Sequence, residues 1–156
     1  PKYDRAEKLT GVFTHEILKK KVPLVRSMDD YVNCPHSRNT EVRLEDILKH
    51  PELEVLAKSD EAGVLLVLNE YGSGSQVFIQ GHPEYDRMTL SNEYHRDVAK
   101  GLNPALPKNY FTDNNPFSRP VLCWRNFSNT LYANWLNFYV YQNTPYELSN
   151  NFDWVI

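Results

Sequence analysis

The chain holds only two cysteines, Cys34 and Cys123, among its 156 residues. That excludes a disulfide framework and makes a reduced, cytoplasmic setting the expectation. The metal-binding spacings are missing too: no CxxC pair and no HExxH helix occurs, so no metal site is expected. There is no long apolar run either. The longest, at residues 64–68, is far too short to span a bilayer, and no basic-then-apolar leader follows Pro1. Positive charge is not in excess, with 17 Lys and Arg against 20 Asp and Glu and a net charge of −3. A nucleic-acid partner is therefore not expected. Repeats and low-complexity segments are absent. What remains is a chain of 41% hydrophobic residues, long enough to bury a core and normally one domain.

Most of the chemistry is concentrated in Gly81-His82-Pro83-Glu84-Tyr85-Asp86. A short apolar run at residues 77–80 precedes it and reads as a strand. Gly81 permits a sharp turn, and Pro83 fixes φ and withholds a donor, so the chain neither extends the strand nor enters a helix at once. His82 then stands on a rigid corner with a carboxylate two residues on. A base and the group that orients it form half of a nucleophilic triad. A solvated surface turn with an unrelated acid fits the tripeptide equally well; the context favours function. Residues 92–100 form a helical run ending at Gly101, with Thr89 or Ser91 as its cap. A strand, a turn and then a helix is how open α/β sheets present catalytic residues.

Elsewhere, residues 1–10 are charged and irregular, and residues 12–18 alternate as a strand. Residues 19–21 form a solvated lysine turn, and residues 33–38 a polar loop. Residues 44–50 form a short helix stopped by Pro51. Residues 53–58, 64–68 and 77–80 read as three neighbouring strands, with a flexible turn at residues 70–75. Residues 102–120 are a long loop rich in proline and asparagine, of the kind that is functional, disordered or packed on a partner. Residues 126–142 read as an aromatic helix against the sheet or a second subunit, in preference to a ligand-stacking platform. In the tail, Phe152 and Trp154 are candidates to dock on the body.

Five ordered segments then carry a resemblance: Pro35-His36-Ser37-Arg38, Gly81-His82-Pro83-Glu84-Tyr85-Asp86, Tyr94-His95-Arg96-Asp97 with Lys100-Gly101-Leu102, Asn109-Tyr110-Phe111, and Asn134-Trp135-Leu136-Asn137-Phe138-Tyr139-Val140-Tyr141-Gln142. Over residues 3–146 the chain resembles the carboxyl-terminal half of the homoserine O-acyltransferases of the succinyltransferase type. The resemblance implies an α/β fold of the class I glutamine-amidotransferase-like (flavodoxin-like) kind, a three-layer sandwich of which this chain supplies one half, with a parallel sheet covered on both faces. It implies ping-pong transfer of a succinyl or acetyl group from acyl-coenzyme A, through a cysteine, to the hydroxyl of homoserine in methionine biosynthesis. Acyl-coenzyme A is then a co-substrate and no further cofactor is implied; a homodimer is among the assemblies left open. His82 matches the catalytic base and Glu84 the carboxylate that holds it, while Lys8, Ser37 and Arg96 match substrate-binding residues. The chemistry agrees: a hydroxyl needs a positioned base near neutral pH, and a planar guanidinium suits a carboxylate. The plainer readings are an ion pair of Arg96 with Glu93 or Asp97, a surface lysine at Lys8, and a loop-satisfying hydroxyl at Ser37.

One part of the pattern is not met. The family's cysteine sits on a strand-to-helix elbow upstream of the segment matching Lys8, and neither Cys34 nor Cys123 stands on such an elbow; each reads as a small buried hydrophobe. The sequence therefore leaves open an acyltransferase whose nucleophile lies outside these residues, a serine O-acetyltransferase on the same fold, glutamine amidotransfer, and a non-catalytic remnant or assembly module.

Overall fold

The apolar runs at 53–58, 64–68 and 77–80 become adjacent strands, as their composition leads one to expect. The computed structural model describes residues 1–70 and 75–142, and its framework is a five-stranded sheet ordered β2-β1-β3-β4-β5. The strands are β1 (Tyr3–Ile17), β2 (Tyr31–Glu41), β3 (Leu53–Ser59), β4 (Gly63–Asn69) and β5 (Gln76–Ile79). The helices are α1 (Leu44–Ile47), α2 (Thr89–Ala99) and α3 (Arg125–Trp135), the last continued by a π-helical turn, Leu136–Val140. The chain is thus a mixed α/β fold. The expected docking of Phe152 and Trp154, and the expected flexible turn over its residues 71–74, lie outside the described residues.

Every neighbouring pair of strands is antiparallel, which corrects the parallel sheet expected above. The physical reason lies in the connections. Only residues 60–62 join β3 to β4, and a parallel pair needs a crossover of a dozen or more residues. Two further expectations are corrected. Residues 1–10 are largely strand, because their charges find partners around it: Arg5 donates to Glu41, Tyr3 to Asp46 at 2.7 Å, and Lys8 to Glu93 at 3.5 Å. Residues 33–38 are also strand, with Gly11 facing His36 and Val12 facing Pro35. Their polar side chains hid the period because several point inward to specific partners.

The core lies on both sides of β4. Leu65, Leu66 and Leu68 join Phe127 and Leu131 of α3, whereas Val64 and Val67 join Ile47 of α1. Burying the Phe127 and Leu131 side chains contributes about 1.5–3 kcal/mol each, so α3 is held on the sheet as the aromatic-helix reading required. A third cluster packs Val12 with Leu90, Tyr110, Phe111 and Trp124. It ties α2 and the 102–120 loop to β1, so that loop is docked on the sheet through Tyr110 and Phe111, which are buried, while its third aromatic, Phe117, is exposed. The sheet also curls. Although β2 and β5 lie at opposite ends of the strand order, Gln80, just past β5, takes hydrogen bonds from Arg38 at 3.4 Å and from the Val42 amide at 3.3 Å.

Gly11 fixes the loop to the sheet. Its φ is +138°, and Lys108 lies alongside, accepting from the Val12 amide at 2.8 Å and donating to the Thr10 carbonyl at 3.0 Å. A β-carbon at position 11 would stand 2.4 Å from the Lys108 oxygen. Gly11→Ala is therefore expected to destabilise the fold by at least about 1–3 kcal/mol from backbone strain alone, read as a lower urea midpoint. An unchanged midpoint would show that the Lys108 contact is dispensable.

Candidate active site

His82 sits where the chain leaves β5 and heads for α2. Gly81, expected to supply a turn conformation, is needed for space instead, since its φ is not among the positive ones. A β-carbon there would lie 2.6 Å from Cys34 Sγ, 2.8 Å from Leu65 Cδ1 and 3.1 Å from His36 Nε2. The turn is thereby seated directly on β2 and β4. The His82 amide donates to the Pro35 carbonyl at 2.8 Å. The Asp86 carboxylate accepts from the Met88 amide at 2.7 Å and the Thr89 hydroxyl at 3.2 Å. Asp86 thus opens α2 in place of the expected Thr89 or Ser91 cap; the Ser91 amide donates to the Tyr110 hydroxyl at 3.1 Å. Gly101, with φ +72°, stops the helix as expected, and the Leu102 amide returns to the Asp97 carbonyl at 3.1 Å.

The expected base and its expected orienting group are brought together. His82 Nδ1 and Glu84 Oε1 are 2.8 Å apart, so the Nδ1–H is donated to the carboxylate and Nε2 is left as the acceptor nitrogen. The His82 side chain is 35% exposed, open to an incoming group on one side. On its other side lies the Tyr85 ring, at a 4.3 Å centroid distance and 12° from parallel.

Two of the three expected substrate residues converge on a fourth that the sequence reading had placed only as a salt-bridge partner for Arg96. The Glu93 carboxylate accepts from Ser37, from Tyr85 at 2.9 Å and from Lys8 at 3.5 Å. Burial alone would raise its pKa, but the hydrogen bonds from Ser37 and Tyr85 and the charge of Lys8 outweigh this and hold it below the usual glutamate value. Burial, followed by the bond to Glu93, pushes the Tyr85 phenol well above its ordinary value. Arg96 lies one helical turn past Glu93 and pairs with Asp97, through Nε and Nη2, each at 2.8 Å. It is 55% exposed and close enough to act electrostatically on Tyr85. A cleft of about 60 Å³ opens between Lys8, Glu93, Asp97 and Pro104.

Neither cysteine has a nucleophile's surroundings. Cys34 is fully buried, and burial drives its thiol far above the ordinary range. Cys123 is exposed rather than buried as expected, on the segment ahead of α3, and makes no hydrogen bond with histidine among the described residues.

Beneath the turn lie two buried histidines that the sequence reading had not singled out. His15 Nε2 and His36 Nε2 are 3.1 Å apart. The ring centroids are 5.1 Å apart and the planes 24° from parallel, so the rings meet tip to tip in nearly one plane. One ring donates and the other accepts, so both are neutral. Burial lowers the pKa of His15 to about 4, and burial followed by the proximity of His15 lowers that of His36 to about 3.

Comparison with known proteins gives this geometry its context. The homoserine O-succinyltransferase family model matches residues 1–146. The chain belongs to that family. It is 54% identical to a homoserine O-acetyltransferase of Agathobacter rectalis, covering 97% of this chain and 48% of that protein. Over 94% of this chain it is 54% identical to one of Lachnoclostridium phytofermentans, and over 96% it is 52% identical to one of Thermotoga neapolitana, again covering 48% of each. This family member thus spans about half the length of the curated relatives it matches. The crystal structure of SMU.1228c shares its fold, with a TM-score of 0.56 at 14% identity over 85% of this chain and 53% of that one.

The histidine pair gives this chain of the homoserine O-succinyltransferase family an acid limit. A histidine ionises near 6.5 when unfolded, and both rings ionise lower in the fold. Between those values the unfolded chain binds more protons, so stability falls as pH drops below 6.5, by up to about 1.4 kcal/mol per pH unit for each ring. The depressed carboxylates Glu93 and Asp97 add their loss only at lower pH. Urea midpoints are expected to fall from pH 7 to pH 5. Equal midpoints would refute a buried neutral pair.

Proposed function

We propose that this chain provides the general base and the acceptor-binding groups of a homoserine O-acyltransferase. In this reading it acts in the cytoplasm on acyl-coenzyme A and L-homoserine, in the service of methionine biosynthesis. The observation that carries the reading is the His82–Glu84 pair, with Nδ1 bound and Nε2 open, one residue from a tyrosine that shares Glu93 with Ser37 and Lys8. The donor is read as acetyl-coenzyme A, because relatives 50–54% identical carry that activity in their names. The curled sheet is read as part of a glutamine-amidotransferase-like sandwich, completed by residues corresponding to the rest of the relatives' length.

The chemistry follows from the geometry. His82 Nε2 takes the proton of a cysteine thiol that is neither Cys34 nor Cys123. The thiolate attacks the acyl carbonyl, and coenzyme A leaves as a thiol with the proton returned by the imidazolium. The homoserine hydroxyl then attacks the thioester while Nε2 takes its proton, and the cysteine leaves protonated. Glu84 keeps the imidazole in the right tautomer and stabilises its charged form. Arg96 exchanges Asp97 for the acceptor's carboxylate, which it grips with two parallel bonds.

A chimera tests this, with this chain replacing the matching half of the Agathobacter rectalis relative. Homoserine acetylation is expected from it, and His82→Ala should reduce kcat by roughly 10²–10⁴-fold. Glu84→Gln should cost less, because the ring keeps its place. A folded His82→Ala chimera with near-normal turnover would remove His82 from the chemistry.

Arg96→Lys separates binding from chemistry in the same chimera. It keeps the charge and loses the fork, so kcat/KM for homoserine should fall roughly ten- to a hundred-fold through KM. The burst of acyl-enzyme formed without acceptor should persist. Loss of the burst, or an unchanged KM, would assign Arg96 to the donor or to structure.

A further inference from the structure

We propose that Tyr85 and Glu93 form a positioning relay that couples the orientation of the His82 imidazole to the acceptor-binding residues Ser37 and Lys8. The inference rests on the proposed function for its catalytic consequence and on geometry for its existence.

The relay begins with the parallel contact of the His82 and Tyr85 rings, 4.3 Å between centroids. Glu84 holds His82 at a single nitrogen, which leaves the ring free to tilt about that bond. A flat aromatic face laid along it removes that freedom. Tyr85 is itself fixed from three directions. Its amide donates to the His82 carbonyl at 3.2 Å, its carbonyl accepts from Trp124 Nε1 at 2.9 Å, and its hydroxyl donates to Glu93 Oε1 at 2.9 Å. The first two bonds place the backbone, the ring packs against the Val12–Trp124 cluster, and of the three bonds the hydroxyl one alone holds the far end of the ring.

The other oxygen of Glu93 receives Ser37 and Lys8. One carboxylate on α2 therefore joins β1, β2 and the His82 turn. A carboxylate is suited to this junction, because two oxygens accept several donors at once. An amide presents one acceptor and one donor, so Glu93→Gln keeps the size and breaks at least one arm. Tyr85→Phe keeps the stacking face and breaks only the link to Glu93, while Tyr85→Leu removes the face.

The first test uses this 156-residue chain and reads the imidazole C–H resonances of His82 by NMR, with exposed His50 as the internal reference. Stacking on Tyr85 should shift the His82 signals upfield of those of His50. Tyr85→Leu should abolish the shift, and Glu93→Gln and Tyr85→Phe should each reduce it with the rest of the spectrum preserved. His82 signals that do not move in Tyr85→Phe, which cuts the link to Glu93 and nothing else, would overturn the relay, whatever the chain catalyses.

The second test uses the active chimera. Glu93→Gln should lower kcat and raise the homoserine KM together, each by about tenfold. Tyr85→Phe should lower kcat and leave KM within twofold, and Ser37→Ala should do the reverse. Simple destabilisation would reduce the active fraction and leave every KM unchanged, so an unchanged KM in Glu93→Gln overturns the coupling. Should the NMR shifts behave as expected while the chimera acetylates nothing, the relay stands as structure and the functional reading fails.

Discussion

The hydrogen bond from the His82 amide to the Pro35 carbonyl closes the molecule on itself. It joins the segment after β5 to β2, the two ends of a five-stranded sheet, and the sheet must curl for it to form. Proline has no N–H to offer the ladder, and edge strands are where it is tolerated. Its carbonyl is then available to a neighbour from outside the sheet. Gly81 completes the seam by omitting the β-carbon that would strike Cys34, Leu65 and His36. The His82 turn is therefore the joint that holds the sheet's edges together. Its rigidity is inherited from the fold, and so is its sensitivity to anything that loosens β2.

This closure dictates what lies beneath. Strand β2 must carry polar residues inward to reach the turn and α2, and each finds at least one partner. His36 meets His15, Ser37 meets Glu93, and Arg38 donates to the Ala62 carbonyl at 2.6 Å. Two neutral imidazoles pair through their Nε2 atoms in the interior without a buried charge, whereas one protonated ring there would meet a large desolvation cost. The same neutrality keeps positive charge away from the underside of His82.

Legibility in the sequence followed the range of the interactions. The β3, β4 and β5 runs, the α2 stop at Gly101 and the His82–Glu84 pair are local, and local spacing shows them. Residues 33–38 of β2 read as a loop in the sequence because His36, Ser37 and Arg38 look solvated until their distant partners are known. The direction of the sheet was misread because the strand–turn–helix reading of residues 77–100 suggests an open parallel sheet, while the short links between strands say otherwise. Glu93 escaped notice for the same reason as β2: its partners at positions 8, 37 and 85 come from three elements. The ordered motifs of the family resemblance did point to Lys8, Ser37 and Arg96, yet they could not show that the first two share a carboxylate.

Under the proposed function, that shared carboxylate gives a preorganised site a way to release its donors to a substrate. A half-buried charge with one hydrogen bond would lose most of its stabilisation if that bond were given up. Glu93 has three donors, two of them neutral hydroxyls and one a lysine. Under the proposed function, Ser37 or Lys8 can turn toward an incoming amino acid while Tyr85 remains. The net cost of exchanging one neutral hydrogen bond is about 0.5–1.5 kcal/mol, which a new bond to substrate can offset. Tyr85, by contrast, has no such freedom, since its release would also free the face on which His82 rests. The donor facing the base is then the fixed one, and the donors facing the acceptor are the exchangeable ones.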